Sequence, residues 1–425
     1  MNRPATSPPA TGSLSRLLPG DRVARPGTLA GHLARHGIRP DCAGGGRRRE
    51  ELLAEVERAG LAGRGGAAFP AAAKLRALAA AWPRPVVIAN GVEGEPASDK
   101  DKMLLAVAPH LVLDGAVGAA ELTGAGQVVI VAHHAVAPIV SRAAAERRRA
   151  GQDPVPVRVM TAAGSFIAGE ASAVVNWVER GLATPTGRPP RLGGPGRRPA
   201  LVQNVETLAH LALILRHGAT WFTSAGTPDE PGSMLVTLLG AVRRPGVYEI
   251  GIGTPVSGLI ELAGGATAPL SALLIGGYFG TWTEPGTVLP LPFSATGLAP
   301  ADAGPGAGVV AALPRTACGL AETARITRYL ADSSAGQCGP CLFGLHAIAG
   351  QLDRLAAGTR CDLATVQRWL GDVTGRGACR HPDGTALMVG SALRVFRAEA
   401  RLHSRGWCSG TGAAGILPVP GQARP

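Results

Sequence analysis

Aromatic residues make up only 4 % of this 425-residue chain, and lysine occurs at just three positions, Lys74, Lys100 and Lys102. A base-stacking nucleic-acid surface interleaves aromatic with basic residues. No such stripe occurs, so no nucleic-acid partner is expected. Long apolar runs are missing too. The most apolar window, Met103 to Leu122, is interrupted by His110, Asp114 and Glu121, whereas a membrane span needs about 20 mostly apolar residues. Met1 to Gly20 is rich in Pro, Ser and Arg and lacks the apolar centre of a secretory signal. These absences point to a cytoplasmic protein. The cysteines number 7, and in that compartment metal binding or catalysis is a better expectation than disulfides.

What is present argues for folded domains. Hydrophobic residues are 46 % and charged residues 17 %, enough for buried cores and too little charge for global disorder. The net charge of +12 is carried almost wholly by arginine, which suits an acidic redox partner. Residues 1–48 are Pro-, Gly- and Arg-rich and read as a flexible lead-in. From 49 to 228, short β-rich runs (Pro85 to Asn90, Gln127 to Ala132, Val155 to Met160) alternate with helical stretches (Ala71 to Ala81, Lys102 to Thr123, Val136 to Arg149, Glu170 to Arg180). Such alternation predicts an α/β domain. After the linker Gly226 to Gly232, the order hairpin, helix, strand over 232–300 suits a small β-grasp domain. Residues 308–403 read as helical, and 404–425 as a flexible tail.

Four motifs carry candidate chemistry. Gly63-Arg64-Gly65-Gly66 leads through Phe69 to a helix bearing Lys74. Glycines let a backbone approach a phosphate or a flat ring, although a flexible turn explains the segment as well. Asn90-Gly91-Val92-Glu93-Gly94-Glu95 follows a β-run, at the strand end where α/β sheets bind ligands. Gly164 to Glu170 and Val202 to Thr207 are a turn entering a helix and a polar run. Each alone is also explained as a cap or a surface turn.

In order and spacing these segments resemble the flavin- and NADH-binding (51 kDa-type) subunit of respiratory complex I and the related diaphorase subunits of soluble hydrogenases and formate dehydrogenases. The resemblance spans about residues 50 to 400. It implies an α/β flavin-binding domain, then a β-grasp (soluble-ligand-binding) domain, then an α-helical iron–sulfur bundle. It further implies that FMN binds Gly63, Arg64, Gly65, Gly66, Lys74, Asn90, Glu93, Gly169, Glu170 and Asn204, with Phe69 as an aromatic wall for NAD(H). Glu93 and Glu170 would orient the flavin. No side chain is expected to act as a catalytic acid or base. Electrons would pass from NAD(P)H through FMN to a [4Fe–4S] cluster. They would leave to a ferredoxin-like or two-iron thioredoxin-like subunit, or to a membrane reductase that holds the chain at the inner face of the membrane.

Departures from the family pattern are specific. Val92 stands where the family has Asp, Ala171 where it has a second Glu, and Gln203 where it has Asn. Ala77 and Arg191 replace aromatics that clamp the dinucleotide, and Arg188 with Arg191 could pair with pyrophosphate instead. Of four cluster cysteines only Cys338, Cys341 and Cys379 match; the remaining position is Ala335. Three outcomes stay open. A cluster could take a fourth ligand from His381, Cys361 or Cys318, a three-iron or labile cluster could form, or Cys338, Cys341, Cys379 and His381 could hold zinc. Cys42, Cys318, Cys361 and Cys408 otherwise read as structural or idle. The alternative to an active subunit is a degenerate electron-relay or assembly scaffold that no longer oxidises NADH.

Overall fold

The computed structural model describes residues 14–18, 27–81, 83–187, 191–192, 198–359, 361–410 and 415–421. Its first sheet holds β1 (Val86–Gly91), β2 (Val128–Ala132), β3 (Val157–Thr161), β4 (Arg191–Leu192) and β5 (Arg198–Asn204), in the order β3-β2-β1-β5-β4. The first three and β5 run parallel, and β4 is antiparallel to β5. The runs Val-Val-Ile-Ala in β1 and Val-Val-Ile-Val-Ala in β2 are apolar on both faces because both faces are covered. One face packs Val87, Ala89, Val128 and Ile130 against the helices Pro109–Thr123 and Val205–Thr223. The other packs Val86, Ile88, Val129 and Val131 against Val174 and Val175 of the helix Ala171–Arg180. The two covering helices approach so closely that a Cβ on Gly115 would lie 1.8 Å from the Leu208 carbonyl oxygen.

The expected helix Lys102 to Thr123 is two helices, Lys100–Val107 and Pro109–Thr123, bent by 96°. Pro109 cannot continue a preceding helix but suits the first turn of a new one. Among the described residues no single helix is long and apolar enough to cross a membrane.

The second sheet contains β6 (Ser233–Gly240), β7 (Gly246–Gly251), β8 (Leu270–Ile275), β9 (Thr281–Thr283) and β10 (Val309–Pro314), in the order β7-β6-β10-β8-β9. The hairpin, helix and strand expected there are present. Its central strand is β10, parallel to β6 and antiparallel to β8, which lies beyond the expected boundary at 300. All six residues of β10 are buried, so the run has no alternation to announce a strand. Five helices follow: Gly319–Asp332, His346–Ala356, Leu363–Val373, His381–Val395 and Arg397–His403, with a π-helical turn at Pro340–Leu345.

Both supposedly flexible ends are corrected where they are described. Thr28 caps the helix Leu29–His36, the helix Gly45–Arg58 begins inside the expected lead-in, and Leu17 and Cys42 are fully buried. At the other end Leu417 and Val419 join the core of the helical region. The Glu322 carboxylate accepts the N–H groups of Gly415, Ile416 and Leu417, and the Tyr278 hydroxyl donates to the Pro418 carbonyl. Apolar side chains and directed hydrogen bonds offset the chain entropy that composition alone suggested would win.

Candidate functional site

The four motifs meet at the carboxyl ends of β1 and β5. From β1 the chain moves outward to β2 and β3, then returns to β5 on the opposite side, so β1 and β5 flank the topological switch point where open α/β sheets bind ligands. Register places Asn90 directly beside Asn204. Asn90 Nδ2 donates to the Gly169 carbonyl at 2.9 Å, linking the second motif to the third. Gly94 lies against the same turn, where a Cβ would come within 2.3 Å of the Phe166 carbonyl oxygen.

The glycine loop covers this edge. Gly63 N–H donates to the Phe69 carbonyl at 3.0 Å, closing the loop on itself. A Cβ on Gly65 would sit 3.3 Å from Asn204 Cβ, so the backbone approaches the fourth motif as only glycine allows without displacement. Gly66 takes a φ of 93°. Arg64 serves as an anchor. Its N–H donates to Thr207 Oγ1 at 2.8 Å and its guanidinium to the Pro231 carbonyl at 3.3 Å. Burial lowers the Arg64 pKa, countered by Glu206 and Glu230. Lys74, on the helix Ala71–Ala79, lies 3.3 Å from Gln203 Oε1 and 5.5 Å from the Phe69 ring centre, and burial lowers its pKa. The Phe69 ring is 50 % exposed.

Glu93 and Glu170 each hold a helix start at this edge. Glu93 Oε1 accepts from Ser98 Oγ (2.7 Å) and Asp101 N–H (2.9 Å), and Oε2 from Lys102 N–H (2.8 Å). It thereby caps the helix Lys100–Val107 from outside. Glu170 is the N-cap of the helix Ala171–Arg180, accepting from Ser172 N–H (2.9 Å), Ala173 N–H (3.0 Å) and Ser172 Oγ (2.5 Å). Helix starts leave N–H groups without intrahelical partners, and a carboxylate is well suited to satisfy them. Both Glu93 oxygens accept such bonds, whereas Glu170 uses Oε2 alone.

Sequence reasoning missed a charged network beneath the same edge. Lys100 Nζ lies 2.7 Å from Asp101 Oδ1 and 2.9 Å from Glu206 Oε2, and all three side chains are buried. Asn204, N-cap of Val205–Thr223, donates to Asp101 Oδ2 at 2.6 Å. Burial opposes the charge on Lys100, but Asp101 and Glu206 outweigh it and hold its pKa above the usual lysine value. Burial likewise pushes Glu206 up, yet Lys100 and His210 bring it down to about 2. Glu95 was also missed. It accepts from Tyr278 N–H (2.8 Å) and Ala97 N–H (3.1 Å), joining the two sheets, and burial pushes its pKa up to about 7. Polar residues just past a strand within a named motif were the available signal.

Cys338 neighbours Cys341 and, through the N–H of Ala378, the segment bearing Cys379. Burial raises the Cys341 thiol to about 12, reinforced by Cys338 and Cys379. Burial also raises Cys379, with Glu170 and Cys338 adding to the shift. Phe166 of the third motif stands ring to ring with His381 at 5.6 Å, so the segment bearing Cys379 adjoins that motif. Cys338 accepts backbone N–H bonds from Ala378 and Cys341, which outweigh burial and lower its pKa. His381 is buried, with Nε2 2.7 Å from the Leu330 carbonyl and Nδ1 without a hydrogen-bond partner. Cys318 lies instead beside His403, and Cys361 packs on the helical core. Arg188 and the side chain of Arg191 lie outside the described residues.

A switch-point strand edge covered by a glycine loop, beside a segment bearing three cysteines, is the arrangement of a cofactor-binding electron-transfer protein. Family comparison specifies it. Residues 56–213 match the Nuo51 FMN-binding domain, 235–275 the SLBB domain, and 317–403 the NADH-ubiquinone oxidoreductase-F iron-sulfur binding region. The chain is 30 % identical over 387 residues to the NADH-quinone oxidoreductase F subunit of Mycobacterium tuberculosis, covering 84 % of this chain and 85 % of the relative. It is 29 % identical over 383 residues to the F subunit of the Streptomyces coelicolor enzyme, covering 84 % of each. Among solved structures it resembles a chain of an NAD+-reducing [NiFe]-hydrogenase, with TM-score 0.77 and 30 % identity over 84 % of this chain. This chain spans 63 % of that hydrogenase chain. The protein belongs to the family of NADH-quinone oxidoreductase F subunits.

Proposed function

We propose that this chain is the electron-input subunit of a larger assembly, oxidising NAD(P)H at the β1/β5 edge and delivering electrons through an iron–sulfur centre. The carrying observation is that the four motifs converge on one strand edge whose third motif adjoins the segment bearing Cys379. The residues fit FMN: Gly65 and Gly66 keep the loop free of side chains where it closes on Asn204, and Phe69 is an exposed ring beside the Lys74 ammonium. They fit an iron–sulfur centre through three thiols, with Ala335 supplying none. When bound, FMN accepts two electrons as hydride and releases them singly, which is chemistry no side chain here supplies.

The chain's residues position and wall the site. Gly63, Gly65 and Gly66 would bring backbone against the cofactor, and Arg64 ties that loop to Thr207 and to Pro231 of the linker before the second sheet. Lys74 offers positive charge to a phosphate or ring edge. Asn90 and Asn204 form the floor. Phe69 stacks on the nicotinamide nucleotide, and Glu93 and Glu170 fix the helices on either side. Gly169 holds Asn90 through its carbonyl. Cys338, Cys341 and Cys379 hold the iron–sulfur centre. A ferredoxin-like or two-iron thioredoxin-like subunit of acidic surface would receive the electrons, at the cytoplasmic face of a membrane assembly or in a soluble one.

The test is an anaerobic visible spectrum of the reconstituted protein before and after NADH. Flavin bands that bleach, over a broad thiolate-to-iron shoulder, are expected. Bands that ignore NADH but bleach with dithionite would overturn the donor, and a colourless protein would overturn the whole reading. Ala335→Cys is expected to raise iron retained per chain.

A further inference from the structure

We propose that Cys318, Glu399, His403 and Cys408 form a second metal site, separate from Cys338, Cys341 and Cys379, that takes a divalent ion of the zinc class. Their four donor atoms all lie within 4.8 Å of one another. Cys318 Sγ is 3.3 Å from His403 Nε2, and His403 Nε2 is 3.2 Å from Glu399 Oε1. Tetrahedral zinc with bonds of about 2.0–2.3 Å places its ligands roughly 3.3–3.8 Å apart. The unbound donors therefore stand close to their coordinated spacing.

The surroundings orient these donors as a metal site requires. His403 Nδ1 lies 2.9 Å from the Leu355 carbonyl, which leaves Nε2 turned toward Cys318 and Glu399. A histidine ligand held by a backbone carbonyl on its far nitrogen is the usual outer-shell arrangement. Glu399 and His403 stand one turn apart on the helix Arg397–His403. Glu399 is steadied by Ser409, whose N–H donates to Oε1 at 2.8 Å and whose hydroxyl donates to Oε2. Cys318 is the N-cap of Gly319–Asp332. Burial pushes its thiol up to about 12, and a bound cation would reverse that shift, since a coordinating thiol is deprotonated outright. A disulfide between Cys318 and Cys408 would use both sulfurs but leave the aimed imidazole and carboxylate without a purpose.

Two thiols, an imidazole and a carboxylate make a closed four-ligand set, the pattern of a structural rather than catalytic zinc. Binding would release the two thiol protons to solvent. It would pin the segment after His403 to the start of the Gly319–Asp332 helix, whose Glu322 holds the docked residues 415–417.

The test uses the full chain. Zinc is measured per chain, with FMN content as the check on folding, in the wild type, in Cys318→Ser/Cys408→Ser and in Cys338→Ser/Cys341→Ser. About one zinc per chain is expected in the wild type and in Cys338→Ser/Cys341→Ser, with a loss of at least about tenfold in Cys318→Ser/Cys408→Ser. Zinc that persists in Cys318→Ser/Cys408→Ser, or a Cys318–Cys408 disulfide in the reduced, zinc-supplied protein, would overturn the site. Should Cys318→Ser/Cys408→Ser fail to retain FMN, cobalt(II) added to Cys338→Ser/Cys341→Ser decides. Intense visible bands of tetrahedral thiolate-bound cobalt support the proposal, and their absence refutes it.

Discussion

The strand edge and the cysteine region are built on opposite plans. At the strand edge the motifs are braced by one another: Asn90 by Gly169, Asn204 by Asp101, Lys74 by Gln203. The cysteine region carries three thiols and leaves the fourth family position to an alanine. The first site is thus preorganised by protein alone, whereas the second depends on what it binds. A preorganised site costs less to occupy.

The sharpest way to break this contrast is Lys100→Met. It leaves Asp101 and Glu206 buried without their ammonium, at a cost of about 3–5 kcal/mol. Urea unfolding should show that loss, and FMN content should fall while iron per chain changes little. If iron falls in step with FMN, the two regions are one cooperative unit and the contrast fails.

Glu95 tests the seam between the sheets. Its ordinary pKa of 4.5 is raised by burial to about 7. The folded state therefore holds a proton that the unfolded chain releases between those values. Stability from this group is full below about pH 4.5 and declines through about pH 7, by roughly 3 kcal/mol. The difference between wild type and Glu95→Gln in unfolding free energy against pH should carry that slope. A flat difference would mean that the seam does not bury the carboxyl.

Much of this was legible in sequence and some was not, for physical reasons. Three strands of the first sheet, β1, β2 and β3, read clearly because each is a short β-branched run between turns, whereas β4 (Arg-Leu) and β5 (Arg-Pro-Ala-Leu-Val-Gln-Asn) lack that signature and went unread. β10 was lost because a wholly buried strand has no polar alternation, and Val-Val-Ala-Ala-Leu resembles a helix start equally well. The helix-capping bonds of Glu93 and Glu170 were not legible, since a capping Glu and a ligand-facing Glu share the same letters. Cys318 and Cys408 looked idle because their partners are joined only by folding.

A smaller effect is expected from Phe69→Ala. The ring is half exposed, so stability should change little. Loss of stacking on the nucleotide should weaken NADH binding by about 1–3 kcal/mol, seen as a raised KM with FMN content intact. A fall in FMN content instead would place the ring against the flavin.

The smallest effect separates a wall from a ligand. If Glu170 acts by capping the helix Ala171–Arg180, then Glu170→Ala removes bonds to Ser172 and Ala173 and costs about 1 kcal/mol of stability. FMN affinity should then change by less than about threefold, and Glu170→Asp, which keeps a capping carboxylate, should recover most of the thermal loss. If its oxygens instead meet the flavin, affinity should fall more than about tenfold, as expected when a hydrogen bond to a charged group is lost. The shorter Asp would not restore it. Stability and affinity are read on the same variants, so the two roles yield opposite patterns rather than different sizes of one effect.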